Sequence, residues 1–317
     1  MKQIFLKYGM YMLLGVVLIY MALTNPVFFT PGNLSSLLVQ ASVTGILSIG
    51  MTYIILTGAI DISVGSTMYL AGVCASLTIK STDNVLLAVL AALIVGVVIG
   101  SINGAVVAYL GLPAMIATLG MQSLARGLGH ILVEGQSILN LPDHYKVISQ
   151  GKVFGVIPAS IFICVILMVI AYIVLYKKPF GHYIYAIGNN RDAADACGIK
   201  SKRIMFQLFL ISGILCAIGG VMMTARLGAS TVDIGEGIEF TCITAVALGG
   251  TSLYGGKGGL RGTIIGVLIV AALENIMRLT NVSAYLYDVV WGSVIFIAVF
   301  LDLLRKSSEG KKTAVQE

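Results

Sequence analysis

Charged residues are scarce in this sequence of 317 residues, where they make up 11%, against roughly a quarter in ordinary soluble domains. Apolar residues make up 58%, and the mean hydropathy is +0.97. The apolar blocks recur along nearly the whole chain at about 20 residues, the length that crosses the roughly 30 Å of hydrocarbon in a bilayer. This composition excludes a sizeable soluble domain and predicts an all-α polytopic membrane protein.

Metal ligands and disulfide partners are also few. Five cysteines and three histidines are scattered through the chain without a CxxC pair, and most of the cysteines lie in apolar segments. We therefore expect no zinc site, no other metal and no disulfide framework. The net charge of +6 does not indicate nucleic acid as a partner, because the lysines and arginines lie in short connections between apolar blocks.

Motifs of catalysis are missing as well. The segment GGTSLYGGKGG, residues 249–259, resembles a phosphate-binding loop, but Thr251 stands at the first glycine position and Gly258 where the magnesium-binding hydroxyl belongs. The sequence has no nucleophile elbow, no HExxH and no paired carboxylate motif. We expect a protein that is not an enzyme, has no catalytic residue and binds no cofactor of its own.

What the sequence does contain is a series of apolar blocks separated by short polar breaks. The first block follows the short segment Met1 to Lys7, and this order is also found in signal peptides. The block is longer than the apolar h-region of a typical signal peptide and lacks a cleavage site, so we interpret it as a span. The blocks predict about ten transmembrane helices. They lie at residues 8–29, 36–57, 63–79, 85–109, 113–133, 157–176, 204–225, 239–253, 260–279 and 284–304.

Lysine and arginine predict the orientation of these spans. With the N-terminus in the cytoplasm, the inner connections and tails hold fourteen of the 20 basic residues and the outer connections hold four. Arg126 and Arg278 lie inside spans. Because cytoplasmic connections carry the excess of positive charge, the count predicts that both termini are cytoplasmic.

The chain carries two short internal echoes, five spans apart. DISVG at 61–65 resembles DIGEG at 233–237, and GVVIG at 96–100 resembles GTIIG at 262–266. Two inverted five-helix halves would produce such a pattern. We expect a single transmembrane domain over 1–317, with a first half at 1–156 that includes an outer loop at 134–156, a second half at 157–304, a cytoplasmic loop at 177–203 and a cytoplasmic tail at 305–317.

The segment LTGAIDISVGS, residues 56–66, puts a carboxylate in a region almost free of charge. Gly58 tolerates backbone angles that end a helix, and Asp61 is placed to accept hydrogen bonds from the first N–H groups of the third span. A second interpretation is that this break, with Ser63 and Gly65, lines a translocation path, because irregular backbone at membrane depth needs protein or water around it. The two interpretations are compatible.

Ionisable residues within the predicted spans are few, and each is a candidate for the path. A charge near the bilayer centre costs about 2.5–3.5 kcal/mol even on the mildest scale, so such residues face the bundle interior or a cavity. Arg126 has no acidic partner nearby in the sequence. Glu274, beside Asn275, lies four residues before Arg278 and can pair with it, which leaves a purely structural role open for that pair. Asp288 is a further carboxylate in the last span.

The long cytoplasmic loop contains a short helix signal. Asn190 is a suitable N-cap, the run RDAADAC favours a helix with Asp192 in its first turn, and Gly198 is placed to end it. A two-turn helix is marginal in water, so its alanine-rich face is better placed in the groove of a partner protein. A surface helix resting on the membrane is the alternative.

Three motifs, in this order and spacing, resemble the permease subunits of ribose-type ATP-binding-cassette sugar importers, which work with xylose-, arabinose-, galactose- and autoinducer-2-type binding proteins. They are LTGAIDISVGS near the second span, YIYAIGNNRDAADACGI between the sixth and seventh, and AVALGGTSLYGGKGGLRGTIIG after the eighth. The resemblance runs from about Phe28 to Arg305 and does not specify the sugar.

This resemblance implies a ten-helix domain in the bacterial plasma (inner) membrane that pairs with a second permease, either an identical copy or a homologue. A cytoplasmic cassette ATPase, which binds ATP and magnesium, energises the pair, and an extracytoplasmic solute-binding protein supplies a monosaccharide or similar solute. The sequence departs from the family pattern at Arg191 and Cys197, which bears on the choice of ATPase. The residues that match the family's ATPase-docking coupling helix are Asn190, Arg191, Asp192, Ala193, Ala194 and Gly198.

An ion-gradient-driven secondary transporter is the alternative, with Asp61, Glu274 or Asp288 as the ion-coupled carboxylate. A membrane-embedded enzyme has no motif in its favour. In either transporter, the residues that we expect at the helix break or along the translocation path are Gly58, Asp61, Ser63, Gly65, Arg126, Glu274 and Asn275.

Overall fold

The computed structural model describes residues 25–283 without a gap, together with the single positions 15, 19, 20, 286, 289, 290, 292, 293 and 296. The continuous part is a bundle of α-helices with one short antiparallel hairpin of two strands. Its elements are α1 (Pro31–Leu56), α2 (Val64–Thr82), α3 (Val85–Ala108), α4 (Ala114–Leu132), α5 (Asp143–Gln150), β1 (Lys152–Val153), β2 (Ile157–Pro158), α6 (Ala159–Lys177), α7 (Pro179–Asn189), α8 (Arg191–Ala196), α9 (Ser201–Leu227), α10 (Ile238–Leu248) and α11 (Leu260–Leu279).

Most of the predicted spans correspond to helices with boundaries within a few residues. Five helices in the described part of the chain are long and apolar enough to cross a membrane, namely α1, α3, α6, α9 and α11. The predicted span at 284–304 and most of the one at 8–29 lie outside the described residues. The predicted end of the first span at residue 29 is wrong, because residues 26–29 form a turn and not a helix. In this turn, the Asn25 side chain accepts a hydrogen bond from the amide of Val27 at 3.0 Å.

The span predicted at 239–253 is also too long. Helix α10 has only 11 residues and ends at Leu248. Gly249 and Gly250 follow it, and Gly250 adopts a positive φ of 78°, a conformation that favours glycine and stops a helix. The Gly-rich segment 249–259 is therefore a loop that leads directly into α11, although residues 249–253 were predicted to belong to the span.

Helix α9 is the centre of the bundle and packs against α1, α2, α3 and α5. Its closest approach is to α3, where Gly213 faces Gly96 and Gly100. A methyl group on Gly213 would overlap the carbonyl oxygen of Gly96 and lie 2.9 Å from the Cα atom of Gly100. In a bilayer, helices gain little from burying apolar surface and associate through such close packing of small residues.

The helix contacts repeat with an offset of five predicted spans. The contact between α3 and α9 corresponds to the contact between α11 and α1. In the same way, the contact between α2 and α9 corresponds to that between α10 and α1, and the contact between α2 and α3 corresponds to that between α10 and α11. The GVVIG and GTIIG stretches both supply glycines to these contacts, since Gly262 and Gly266 abut the backbone of Gly249 and Ala245. The second echo in the sequence thus corresponds to a similar packing role in the two places.

Substitution of Gly213 by alanine should lower the thermal stability of the detergent-purified chain. The added methyl group meets backbone atoms on α3 that cannot rotate away, and overpacking of this kind costs about 1–3 kcal/mol. Gly120→Ala on α4 is the matched control, because nothing lies within 4 Å of its added methyl group. Equal melting temperatures for the two variants would contradict the close packing of α3 on α9.

Candidate functional site

The break after α1 is built on a left-handed glycine. Gly58 has a φ of 78°, and its amide and that of Ala59 donate to the carbonyls of Ile55 and Ile54 at 2.9 and 3.3 Å. This pairing satisfies the last carbonyls of the helix and turns the chain out of it. The prediction that Gly58 ends the second span is confirmed.

Asp61 lies in the loop between α1 and α2 and is 3% exposed. Its Oδ1 atom accepts hydrogen bonds from the amide and the hydroxyl of Ser63, at 3.0 and 2.6 Å, and its Oδ2 atom accepts one from the Ser212 hydroxyl on α9 at 3.1 Å. Both carboxylate oxygens therefore have donors supplied by the chain itself. Such pairing is what a buried carboxylate requires.

The expectation that Asp61 accepts hydrogen bonds from the first N–H groups of the span predicted at 63–79 is met by the amide of Ser63 alone. Helix α2 begins at Val64 with Ser63 as its N-cap residue, so Asp61 stands two residues too early to reach the amides of the first turn. The carboxylate fixes the N-cap residue instead. Asn103 on α3 donates to the Ser63 hydroxyl at 2.8 Å, and Thr118 on α4 accepts from the amide of Ile62 at 3.0 Å. The network joins the loop to three helices.

A second polar cluster joins α2, α4 and the segment before α10. Arg126 donates to the carbonyl of Ile234 at 2.7 Å and lies over the ring of Tyr69, with its guanidinium carbon 4.6 Å from the ring centroid. Gly65 abuts the backbone of Gly235, so the DISVG and DIGEG motifs are in direct contact. Arg126, which has no acidic partner nearby in the sequence, thus uses a carbonyl and an aromatic face.

Glu239, at the start of α10, belongs to this second cluster and was missed at the sequence level. It is 3% exposed, its Oε1 atom accepts a hydrogen bond from Gln122 at 2.9 Å, and its Oε2 atom has no hydrogen-bond partner among the described residues. It is the first residue of the span predicted at 239–253, and the sequence gives no partner for it. The usable signal was a single acid opening a short, otherwise apolar helix.

Glu274 and Asn275 lie on α11 and hold it to α1. The side-chain amides of Asn275 and Asn33 exchange two hydrogen bonds of 2.9 Å each, and Gln40 donates to Glu274. The suggested pairing of Glu274 with Arg278 is wrong, because no ion pair within 4.0 Å joins them in the described structure. Gln40 occupies the Oε2 atom of Glu274, and Arg278 is exposed.

The short helix predicted in the loop 177–203 is present as α8. Asn190 caps it by accepting a hydrogen bond from the amide of Ala193 at 3.0 Å, and Gly198, with a φ of 85°, lies just beyond its end. Arg191, Asp192 and Ala193 are exposed, whereas Ala194 is buried against the helices behind it. The prediction of a short capped helix is confirmed.

Hydrogen bonds also tie the far end of this loop to α9. The carboxylate of Asp195 accepts a bond from the amide of Ser201 at 3.1 Å. This bonding lowers the pKa of Asp195 below its ordinary value, because it favours the charged carboxylate. Side-chain hydrogen bonds therefore hold both ends of α8, through Asn190 at its start and Asp195 near its end.

The loop 249–259 packs against the ends of both α1 and α7. The amide of Gly256 donates to the carbonyl of Leu56 at 2.9 Å, and the Tyr185 hydroxyl donates to the carbonyl of Gly258 at 2.8 Å. Gly188, at the end of α7, abuts the same Leu56 carbonyl. We call this three-way contact of residues 56–58, 188–189 and 255–256 the glycine junction. This contact connects the loop 177–203, which contains α8, to the break at Gly58.

A cleft of about 420 Å³ opens beside the glycine junction. Its walls include Gly58–Ile60 from the loop after α1, Gly111–Met115 from the start of α4, and Arg191 from the start of α8. The Asp61 network adjoins the Arg126 cluster, because Gly65 of the same motif abuts Gly235. In the described structure, the hydrogen bonds of Glu274 and Asn275 reach only Gln40 and Asn33 on α1. The residues predicted for one path therefore lie in two separate places.

An apolar helical bundle with five helices suited to cross a membrane, internal polar clusters and a short exposed helix, α8, is typical of a membrane transport component. The chain matches the family model described as "Branched-chain amino acid transport system / permease component" over residues 33–299, and it belongs to that family. It is therefore the membrane subunit of an ATP-binding-cassette transporter and not an enzyme, as the sequence motifs predicted. An ion-driven secondary transporter is not favoured.

Several curated proteins are similar over nearly their whole length. The ribose import permease protein RbsC of Bacillus subtilis (strain 168) is 38% identical over 304 residues, 95% of this chain and 94% of that protein. The RbsC protein of Escherichia coli (strain K12) is 38% identical and covers 90% of each chain. The D-allose transport system permease protein AlsC of the same strain is 34% identical over 94% of this chain and 92% of its own. No solved structure matches the chain.

Replacement of Asp61 by alanine should destabilise the purified chain. It leaves the Ser63 amide and the Ser212 hydroxyl buried without their acceptor, and each such orphan costs about 1–3 kcal/mol. Asp233→Ala is the control, because Asp233 holds the corresponding place in the echo motif and is exposed. The melting temperature in detergent distinguishes the two, and a loss as large for Asp233→Ala would refute the structural role of the network.

Proposed function

We propose that this chain is the permease subunit of an importer for a monosaccharide or a similar polyol-like solute in the bacterial plasma (inner) membrane. Relatives named for ribose and allose transport, at 34–38% identity over most of the chain, support the substrate class. An extracytoplasmic solute-binding protein delivers the solute. A cytoplasmic cassette ATPase supplies ATP and magnesium chemistry that this sequence lacks, and a second permease, identical or homologous, completes the path.

The proposed topology has ten membrane crossings, with both termini in the cytoplasm. The offset of five spans in the helix contacts supports two inverted halves, at 1–156 and 157–304. The distribution of lysine and arginine supports the orientation. In this arrangement the loop 177–203 and the tail 305–317 are cytoplasmic, and the loop 134–156 lies outside.

The glycine junction is the observation that carries the proposed coupling mechanism. Helix α8, with Asn190, Arg191, Asp192, Ala193, Ala194 and Gly198, docks on the ATPase. A displacement of α8 moves the end of α7, where Gly188 touches the Leu56 carbonyl, and this carbonyl is bonded to the amide of Gly256. The movement therefore reaches the break at Gly58 through backbone atoms, with no flexible side chain between them.

From the break, the movement reaches the helices that form the path. Asp61 and Ser63 join the loop to α2, α3 and α9, so these helices shift with it. Gly65 and Arg126 link α2 and α4 to the segment before α10, and Glu274 and Asn275 hold α11 to α1. ATP binding favours one arrangement of these contacts only if the ATPase binds the two arrangements unequally.

Ala193→Arg should abolish transport while leaving membrane insertion normal. Ala193 is exposed on α8, so the long charged side chain blocks docking on the ATPase without disturbing the bundle. A docking loss of about 1.4 kcal/mol already lowers the amount of complex about tenfold. Uptake of labelled ribose and copurification of the ATPase measure the effect, and His182→Arg, at an exposed position on α7, is the control. Unchanged uptake in Ala193→Arg would contradict docking through α8.

Gly256→Ala should impair transport through the glycine junction. The added methyl group would lie 2.5 Å from the Asn189 side-chain oxygen and 3.0 Å from its amide carbon. Gly111→Ala is closely matched, because Gly111 has a φ of 75° against 73° for Gly256, while nothing lies within 4 Å of its added methyl group. The two variants therefore share the backbone strain and differ in the contact.

The readout is the ratio of solute transported to ATP hydrolysed by the assembled transporter in vesicles. Gly256→Ala should lower this ratio several-fold relative to Gly111→Ala, with normal recovery of the complex. If the two variants transport equally well per ATP, the junction does not carry the coupling movement.

A further inference from the structure

The hairpin between α5 and α6 ends in an apolar tip that no described part of the chain covers. Phe154 is 86% exposed and Val156 is 78% exposed, although both are apolar. The tip is a tight turn, in which the amide of Val156 donates to the carbonyl of Val153 at 3.3 Å and Phe154 and Gly155 have φ angles of 52° and 74°. A left-handed conformation is uncommon for a phenylalanine, so the turn displays this side chain at a conformational cost.

The tip lies against a helix whose surface is suited to lipid. An 18-residue stretch of helix α6 has a mean hydropathy of 2.8, and only 17% of this stretch is buried against other parts of the described chain. The ring of Phe154 meets the ring of Phe162 edge to face, with 6.4 Å between the centroids. Phe162 begins a stripe of exposed apolar side chains along α6, with Phe162, Val165, Ile166, Val169, Ile170 and Ile173 as its members.

The depth of the tip follows from the length of α6. Its 19 residues span about 28 Å, close to the roughly 30 Å of hydrocarbon, and Lys177 and Lys178 mark its far end. The near end therefore lies at the outer boundary of the hydrocarbon. The amide of Ala159 donates to the carbonyl of Gly151 at 2.7 Å, which ties the base of the hairpin to this end. Because Phe154 contacts the first turn of α6, it lies at the depth where aromatic side chains are enriched in membrane proteins.

We propose that the hairpin tip, Phe154 to Ile157, is a membrane anchor that inserts into the outer lipid interface beside α6. Its apolar surface is continuous with the stripe of exposed apolar side chains on that helix, because Phe154 packs against Phe162 at the start of the stripe. The anchor holds the outer loop at a fixed height and leaves its remaining part, with α5, to face the aqueous side. A soluble docking partner at the tip is the competing outcome of the test.

The test places a single tryptophan at the tip of the full-length chain in lipid vesicles. The sequence has one tryptophan, so Trp291→Phe gives a background in which Phe154→Trp reports on the tip alone. Emission is quenched from the lipid side with phospholipids brominated near the glycerol end of their acyl chains, and from the water side with iodide. Phe162→Trp, on α6, and Gln136→Trp, at an exposed polar position of the same outer loop, give the lipid and water limits.

We expect Phe154→Trp to behave like Phe162→Trp. Its emission should be blue-shifted, its iodide quenching constant several-fold smaller than that of Gln136→Trp, and its quenching by the brominated lipid several-fold larger. A tip quenched by iodide as strongly as Gln136→Trp, with no effect of brominated lipid, would overturn the proposal and assign the tip to a soluble partner. The outer side of the membrane in this inference rests on the topology in the proposed function, but the quenching result does not depend on the transported solute or on the ATPase, so the two can fail separately.

Discussion

Close contact between backbones at glycine is the interaction on which this structure depends. In a bilayer, helices gain little from burying apolar surface, so their association rests on packing and hydrogen bonds. Gly213 against Gly96 sets the distance between α9 and α3, and Gly262 against Gly249 does the same for α11 and the end of α10. A side chain at these positions would separate the helices and remove the contacts beyond them. The chain's 37 glycines therefore include some of its most constrained positions.

Hydrogen-bonded polar groups inside the bundle are the second constraint. The buried carboxylate of Asp61 is bonded to Ser63 and Ser212, and the half-buried Arg126 is bonded to a backbone carbonyl, so both find partners within the protein. Such networks have defined geometry, because an unpaired group in a low-dielectric interior is costly. They join helices that are distant in the sequence. Polar residues in this bundle thus fix the relative positions of helices that apolar packing alone would leave free to slide.

The helical plan was predictable because it rests on local features. The lengths of the apolar blocks predicted most helix boundaries. Gly58 predicted the break after α1, Asn190 predicted the N-cap of α8, and the three motifs predicted the family. The partners of Asp61, Arg126 and Glu274 were not predictable, since they come from distant helices. The length of α10 was misjudged because Gly249 and Gly250 follow the apolar run directly and no charge separates them from it, so the turn signal was outweighed. Glu239 was missed because the groups next to it, Gln122 and Gly65, lie on other helices far away in the sequence.

The glycine junction differs from other contacts in how it can change over evolutionary time. A side chain that grows in a core can be accommodated by a neighbour that shrinks, but a methyl group on Gly188 would meet the carbonyl of Leu56, and a backbone carbonyl has no smaller substitute. Replacement of a neighbouring side chain cannot restore the fit once Gly188 is lost. The exposed side chains of α8 carry no such restriction. A lineage can therefore exchange the exposed surface of α8, the proposed docking surface, while Gly188 behind it stays the same.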